Sequence, residues 1–166
     1  MGTTMTFRIL GCGASPGNPR IGNDWGRSDP KEPRNRRRRS SLLVTRTAPN
    51  GATTRVLVDA GPDLREQMLE ARVDWVDAVL ITHAHADHVH GIDDLRAFVL
   101  NRHHLVDIWM DEAASKRVRS AFDYCFATPP GSAYPPILKE HRFHDGVTLT
   151  VNGDGGPITA IPFRQT

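Results

Sequence analysis

The first half of the chain alternates between short apolar runs and turn-forming residues. The apolar runs predict three strands, at residues 7–10, 41–45 and 54–59. Asn50 and Gly51 lie between the last two strands, and this pair is typical of a β-hairpin. A glycine-containing turn follows the first strand, and residues 17–40 then show no periodicity, which predicts a long loop.

The second half alternates between helical and extended patterns. Apolar residues at helical spacing predict helices at residues 62–71, 92–99 and 113–126. Apolar runs predict strands at residues 76–81 and 106–109, and weaker runs predict strands at residues 146–151 and 158–163. Because hairpin strands come first and strand–helix alternation follows, the pattern predicts an α/β fold built as a layered sandwich.

Length and charge exclude several classes of protein. The 166 residues suit one domain, and no apolar stretch is long enough to span a membrane. Residues 1–8 lack the apolar core of a signal peptide, and Cys12 and Cys125 have no CxxC spacing. These features predict a reduced, cytoplasmic protein. With 21 basic and 19 acidic residues, the net charge of +2 is too small to indicate nucleic-acid binding.

Three histidines and one aspartate lie directly after the strand predicted at residues 76–81. They form an HxHxDH pattern: His83, His85, Asp87 and His88. Ligands gather at the carboxyl ends of strands in α/β proteins, imidazole suits zinc, iron and manganese, and a carboxylate widens the range towards harder ions. A surface histidine cluster or a set of helix-capping residues is the simpler interpretation, but four donors within six residues favour a metal site. A purely structural zinc site would be expected to carry cysteines, and none is near in the sequence.

The motif resembles the HxHxDH hallmark of the metallo-β-lactamase superfamily. Residues 10–17 resemble the opening loop of the branch that contains the tRNA 3′-processing endonucleases and the phosphoribosyl cyclic phosphate phosphodiesterases. Four further segments resemble the phosphodiesterase side of that branch: residues 19–22, 34–41, 58–65 and 90–96. The matching motifs therefore cover about residues 7–100, and the later part of the chain matches only in its general pattern.

The resemblance implies a fold and roles for the motif residues. The fold would be the αββα sandwich of the superfamily, of which this chain supplies about the N-terminal half. His83 and His85 would hold one metal ion, and Asp87 and His88 would belong to the second. Asp87 would also act catalytically by orienting the nucleophile. Asp59 would either orient a ligand histidine or cap the turn that follows its strand, and both interpretations stay open.

The chain departs from the superfamily pattern in its second half. The superfamily takes a further histidine, a bridging aspartate and a final histidine from there, and no histidine after His88 has a matching context. Residues 158–163 resemble the strand before the next ligand, and the chain stops at Thr166. We therefore expect residues 1–166 to form the N-terminal part of a single domain that is incomplete at its C-terminus, whether truncated, trimmed or a pseudo-enzyme. Such a half would expose an apolar face, which predicts a homodimer or domain swapping.

The resemblance implies a metal-dependent hydrolase, specifically a phosphodiesterase acting on a small cyclic or ribosyl phosphodiester with metal-activated water. The intact enzyme would use two divalent ions, zinc or manganese, whereas this chain would hold one or none because ligands are missing. The alternatives are another hydrolase of the superfamily, such as a tRNA 3′-processing nuclease or a lactonase, and a non-catalytic binding or carrier protein. No membrane partner is expected.

An arginine run forms the densest charge cluster. It comprises Arg34 and residues 36–39. Arginine suits phosphate recognition, but a solvated loop whose arginines pair with Asp24, Asp29 and Glu32 is the favoured interpretation for any single arginine. No aromatic residues interleave with the run, which disfavours nucleic-acid binding.

Two smaller features complete the expectations. Residues 22–30 contain no cysteine, which predicts that this loop holds no structural zinc and that Trp25 anchors it by packing. Asp93 and Asp94 lie close to the motif in sequence, but they are better interpreted as acids in the first turn of a helix, where the helix dipole favours them.

Overall fold

The computed structural model describes residues 2–165 and contains a central mixed sheet. The strands are β1 (Thr4–Gly11), β2 (Ser41–Thr47), β3 (Thr53–Val58), β4 (Ala78–Leu80), β5 (Val106–Met110), β6 (Leu138–Arg142), β7 (Leu149–Val151) and β8 (Ile158–Ala160). The α-helices are α1 (Leu64–Ala71), α2 (Ala86–Val89), α3 (Arg96–Arg102) and α4 (Glu112–Ala121). Short 3₁₀ helices lie at Pro33–Asn35, Ile92–Leu95 and Asp123–Cys125.

The central sheet has six strands in the order β1-β2-β3-β4-β5-β6. The first three strands are antiparallel, and β3 to β6 run parallel to one another. The β2–β3 hairpin turns at Gly51, whose φ of 85° only glycine adopts readily. Strands β7 and β8 form a separate antiparallel pair. The predicted α/β class is therefore confirmed.

Each face of the central sheet has its own apolar core. Leu57, Val79 and Ile108 are neighbours in register and belong to the same core as residues of helices α1, α3 and α4: Leu64, Met68, Phe98, Ala114 and Val118. The other face carries Val44, Val56 and Ala78, which cluster with the β7–β8 residues Leu149, Val151 and Ile158. A helix layer, the large sheet and the start of a second sheet thus follow one another, as the sandwich prediction requires.

Three predicted elements differ from the structure. The helix expected at residues 92–99 is a 3₁₀ helix followed by α3, because a 3₁₀ turn often begins an α-helix. The helix expected at residues 113–126 ends at Ala121, where Phe122 leaves helical geometry. Asp111 caps its start by accepting a hydrogen bond from the Ala114 backbone N–H at 2.7 Å. The strand expected at residues 158–163 ends at Ala160.

Strand β6 is absent from the sequence-based prediction. Its residues Leu138–Arg142 are mostly polar, so they lack the apolar pattern of a buried strand. The strand forms because β5 offers a parallel partner and because Glu140 is anchored by hydrogen bonds from Ser115 and Arg119. Tertiary contacts decide the conformation here, since the local pattern alone does not favour a strand.

The long loop at residues 17–40 is confirmed, and its charge pairing matches the expectation in part. Arg34 pairs with the loop acid Glu32 at 4.0 Å. Arg38 instead pairs with Glu70 of helix α1 at 2.5 Å, and Arg39 pairs with Asp63, the residue before that helix, at 3.1 Å. The guanidinium of Arg36 lies 5.4 Å from the ring centroid of Trp25. Trp25 therefore anchors the loop through an arginine contact.

The face of the central sheet that packs against β7 and β8 has one end that is exposed and apolar. Phe7 and Ile9 pair with Val44 and Leu42, so they share that face, yet they are 66% and 70% exposed. A second copy of the chain would cover such a stripe, and the homodimer remains a prediction. The helices of the described residues are all too short or too polar to cross a membrane.

The two cysteines should differ sharply in reactivity. Burial, helped by the charge of Asp93 and opposed by Arg96, raises the pKa of the fully buried Cys125 thiol to about 11. Cys12 is exposed. A disulfide-exchange reagent at about pH 8 should therefore label Cys12 alone in the native chain, because the thiolate is the nucleophile. Absorbance would show one thiol before and two after denaturation, and a Cys12→Ser variant that still reacts natively would contradict this assignment.

Candidate metal centre

The HxHxDH motif lies at the carboxyl edge of the parallel strands. Asp59 directly follows β3, and Thr82 and His83 follow β4 after Ile81. Hydrogen bonding continues past both strand ends, from the Asp59 N–H to the Leu80 carbonyl and from the Ile81 N–H to the Trp109 carbonyl, each at 2.9 Å. Because parallel strands end at the same edge, Asp59 and the motif are brought side by side.

Asp59 lies at the centre of the hydrogen-bond network around the motif. Its backbone is left-handed, with a φ of 63°, and its side chain is buried. The carboxylate accepts hydrogen bonds from the Thr82 backbone N–H at 2.8 Å and from the Thr82 hydroxyl, and it lies 2.7 Å from Nδ1 of His88. A carboxylate only accepts hydrogen bonds, so Nδ1 of His88 is the donor in this contact.

Glycines let helix α2 lie directly on the turn that follows β3. The Ala60 N–H donates to the His88 carbonyl at 2.8 Å, and the Gly91 N–H donates to the Ala60 carbonyl at 2.9 Å. A Cβ atom on Gly61 would lie 2.2 Å from the Asp87 carbonyl oxygen, and one on Gly91 would lie 2.1 Å from the Gly61 carbonyl oxygen. Both positions therefore require glycine if Asp87 and His88 are to stay beside Asp59.

The imidazole of His83 lies against the imidazoles of both His85 and His88. The ring centroid of His83 is 4.6 Å from that of His85 and 4.0 Å from that of His88. Burial and the neighbouring imidazoles of His88 and His85 lower the pKa of His83 below its ordinary value of 6.5, although Asp59 and Asp87 act in the opposite direction. His83 is therefore held in its neutral form, which is the form that binds metals.

The low pKa of His83 can be observed directly. In metal-free protein, the imidazole resonance of His83 should titrate with a midpoint below 6.5 in an NMR pH series. A His88→Ala change removes one neighbouring imidazole, so the midpoint should rise. A midpoint above 6.5 in the unchanged chain would contradict the arrangement of the three rings.

Asp87 faces both a hydroxyl and an imidazole. Burial acts to raise the pKa of Asp87, but hydrogen bonds from its own backbone N–H and from Ser15, together with His88 and His83, outweigh burial and lower the pKa. Oδ2 of Asp87 lies 3.3 Å from Nε2 of His88. The sequence-based analysis assigned no role to Ser15 or Thr82, although Ser15 lies within the loop at residues 10–17 that carries part of the family resemblance.

The donor set fits a divalent cation chemically, since three imidazoles and one ionised carboxylate lie on one short segment. Within residues 2–165, however, no group of three or more His, Cys, Asp or Glu side chains is arranged to hold an ion. The ring of His83 lies against that of His88, and Nε2 of His88 faces Asp87. Metal coordination would therefore require these side chains to rotate while the backbone keeps its present conformation.

Asp93 and Asp94 lie in the first turn of the 3₁₀ helix that follows α2. Asp93 accepts a hydrogen bond from Arg96 at 3.1 Å. Their positions therefore confirm that Asp93 and Asp94 are both first-turn acids.

Residues 54–166 match the family model described as the beta-lactamase superfamily domain. The chain belongs to the metallo-β-lactamase superfamily. A crystal structure of a diphosphatase from the PhnP family is 30% identical in sequence with a TM-score of 0.73, and the match covers 90% of this chain and 54% of that protein. This superfamily chain therefore spans about half the length of that relative.

Two further relatives match this chain, one in structure and one in sequence. Zinc-bound PqqB from Methylobacterium extorquens is 21% identical, with a TM-score of 0.54 and coverage of 88% of this chain and 48% of PqqB, so it supports the fold alone. An octanoyltransferase from Porphyromonas gingivalis is 36% identical over 133 residues. That match covers 79% of this chain but only 25% of the octanoyltransferase, so three quarters of that protein lie outside the comparison.

Proposed function

We propose that this chain carries one half of the active site of a metal-dependent phosphodiesterase. The observation that supports this most strongly is the cluster of three contacting imidazoles beside an ionised Asp87, with His88 oriented by Asp59. In this proposal His83 and His85 hold one divalent ion, and Asp87 and His88 contribute to a second. Zinc and manganese both suit this mixture of imidazole and carboxylate donors.

The proposed site depends on residues that orient its ligand side chains and influence their protonation. Asp59 keeps the proton of His88 on Nδ1, and Thr82 holds Asp59 through two donors. The Asp87 backbone N–H and the Ser15 hydroxyl lower the pKa of Asp87 and so favour its ionised form. A bound divalent ion would lower the pKa of a water molecule and polarise a phosphoryl oxygen. Asp87 would orient the nucleophilic water.

Phosphorus esters are the proposed substrate class, specifically small cyclic or ribosyl phosphodiesters. A relative that matches at 30% identity over 90% of this chain is a diphosphatase of the PhnP family, so its activity involves phosphoryl chemistry. Residues 10–17 resemble the opening loop of the superfamily branch that contains the phosphodiesterases, and residues 58–65 resemble the phosphodiesterase side of that branch. The proposal takes no substrate from the octanoyltransferase, because only 25% of that protein is matched.

A substrate panel tests this proposal. Protein that contains both halves of the proposed site, loaded with zinc or manganese, would be assayed against a chromogenic phosphodiester, a cyclic nucleotide, a diphosphate ester and a lactone. Turnover of the phosphorus esters, lost in a His83→Ala, His85→Ala variant, is expected. Faster turnover of the lactone would contradict the substrate class. Folded protein that binds no metal and turns over none of the four would instead favour a non-catalytic binding role.

Asp59 should affect metal affinity without touching the metal. Replacing Asp59 by asparagine keeps its shape but lets an amide N–H face Nδ1 of His88, which disturbs the orientation of that ring. We expect zinc affinity to fall by about 10–100-fold, as is usual when the partner of a ligand histidine is changed. Calorimetric titration would measure this, with Asp94→Asn as the control carboxylate at an exposed position. Unchanged zinc affinity in Asp59→Asn would contradict the positioning role.

A further inference from the structure

A polar pocket lies along the long loop, and its lining includes Gly11, Gly17 and Pro33. Its volume is about 540 Å³, which lies within the range of small-molecule sites. Five arginines line it: Arg34, Arg36, Arg37, Arg38 and Arg39. The acids in its lining are Asp63 and Glu70, and none of the motif residues His83, His85, Asp87 and His88 contributes to it.

The charges of this arginine pocket do not cancel. Glu70 and Asp63 pair with Arg38 and Arg39. Among the residues that the structure describes, neither Arg36 nor Arg37 forms a salt bridge. Two guanidinium groups are thus left with positive charge that no carboxylate offsets.

The backbone holds the arginines in place before any ligand arrives. Arg37 and Asn18 exchange backbone hydrogen bonds at 2.8 and 3.0 Å, and the Gly13 N–H donates to the Arg38 carbonyl at 2.7 Å. The side chains are also in contact with neighbours. The Arg36 guanidinium lies over the Trp25 ring, and Nη1 of Arg37 lies 3.8 Å from Sγ of Cys12. A pocket whose groups are already positioned loses less entropy when a ligand binds.

We propose that the arginine pocket binds a small anion bearing a phosphate or diphosphate group, independently of the metal motif. A guanidinium presents paired N–H donors that match phosphate oxygens, so Arg36 and Arg37 are the principal contacts. No aromatic residue lines the pocket, which favours a compact phosphate compound over a ligand recognised by base stacking.

The test is calorimetric titration of the 166-residue chain with inorganic diphosphate, at physiological ionic strength and with a chelator present to remove metals. Saturable binding is expected. The Arg36→Ala, Arg37→Ala variant should bind about tenfold more weakly or worse, because two charge-assisted contacts are lost. An Arg27→Ala, Arg117→Ala variant loses the same charge from exposed positions outside the pocket, so it should stay within about twofold of the unchanged chain.

Further measurements check that any loss of diphosphate binding comes from the pocket arginines and not from unfolding. Circular dichroism would check folding, and an Arg36→Lys, Arg37→Lys variant, which keeps the charge but not the paired donors, should also bind diphosphate more weakly. Unchanged affinity in either pocket variant would overturn the proposal, as would tighter binding of a short DNA duplex than of diphosphate. The His83→Ala, His85→Ala variant should bind diphosphate normally. Loss of binding there would also overturn it, whereas failure of the metal site alone would leave this binding intact.

Discussion

Zinc binding should fall by at least about 100-fold when His83 and His85 are both replaced by alanine, because losing ligands costs more than disturbing the partner of a ligand. The structure gives this expectation a physical basis. His83 contacts both His85 and His88, and its lowered pKa favours the neutral form that can donate a lone pair to a metal. Elemental analysis after dialysis and calorimetric titration would measure the loss.

A matched variant separates the loss of ligands from the loss of histidines in general. His103 and His104 are adjacent histidines outside the motif, and His103 has a left-handed φ of 54° that asparagine tolerates. A His103→Asn, His104→Asn variant should therefore keep full zinc affinity. If the His83→Ala, His85→Ala variant remained fully loaded, the assignment of these two residues as ligands would be wrong.

The Gly61→Ala change should lower the free energy of unfolding by about 3 kcal/mol, because the new methyl group would overlap a backbone atom. A Cβ there would lie 2.2 Å from the Asp87 carbonyl oxygen, and backbone atoms cannot rotate away as a flexible side chain can. The same argument applies to Gly91, where the clash would be with Gly61 at 2.1 Å. Urea denaturation followed by circular dichroism would measure both variants.

A glycine with open surroundings provides the control. A Cβ on Gly2 would meet nothing within 4 Å, so Gly2→Ala should change the free energy of unfolding by less than about 0.5 kcal/mol. If Gly61→Ala were as stable as the unchanged chain, helix α2 would have to lie further from the β3 turn than the structure shows. Zinc affinity should fall together with stability in Gly61→Ala, since Asp87 and His88 would be displaced from Asp59.

Local sequence signals predicted the elements that depend on residues close together in the sequence. Asn50 and Gly51 predict the β2–β3 turn, and the apolar run before the motif predicts β4. The same run placed His83 and His85 just beyond the end of a strand, and they lie there in the structure. These features depend on neighbours in the sequence, so a single chain is enough to reveal them.

Features that depend on distant residues were harder to predict. Strand β6 has polar residues and forms only because β5 lies beside it. The contact from Ser15 to Asp87 joins residues on separate elements, and no spacing rule connects them. The partners of Arg38 and Arg39 likewise come from helix α1 and the residue before it, although the loop itself contains acids.

The contacts of Asp59 bear on the two roles that its sequence position left open. Those roles were orienting a ligand histidine and capping the turn that follows β3. Among the described residues, the carboxylate accepts from the Thr82 backbone N–H, which lies beyond β4 and not in the turn after β3, and it lies 2.7 Å from His88 Nδ1. The observed hydrogen bonds therefore fit the orienting role and not the cap.

In the proposed site, the Asp59 carboxylate would also couple ion binding to the stability of the fold. Asp59 follows β3, Thr82 follows β4, and His88 lies in helix α2, so three chain segments meet at one pair of oxygen atoms. An ion that binds the native chain but not the unfolded chain adds RT ln(1 + [L]/Kd) to stability. The melting temperature of the sheet should therefore rise with the concentration of free ion, and in Asp59→Asn that dependence should weaken even though no direct ligand has been removed.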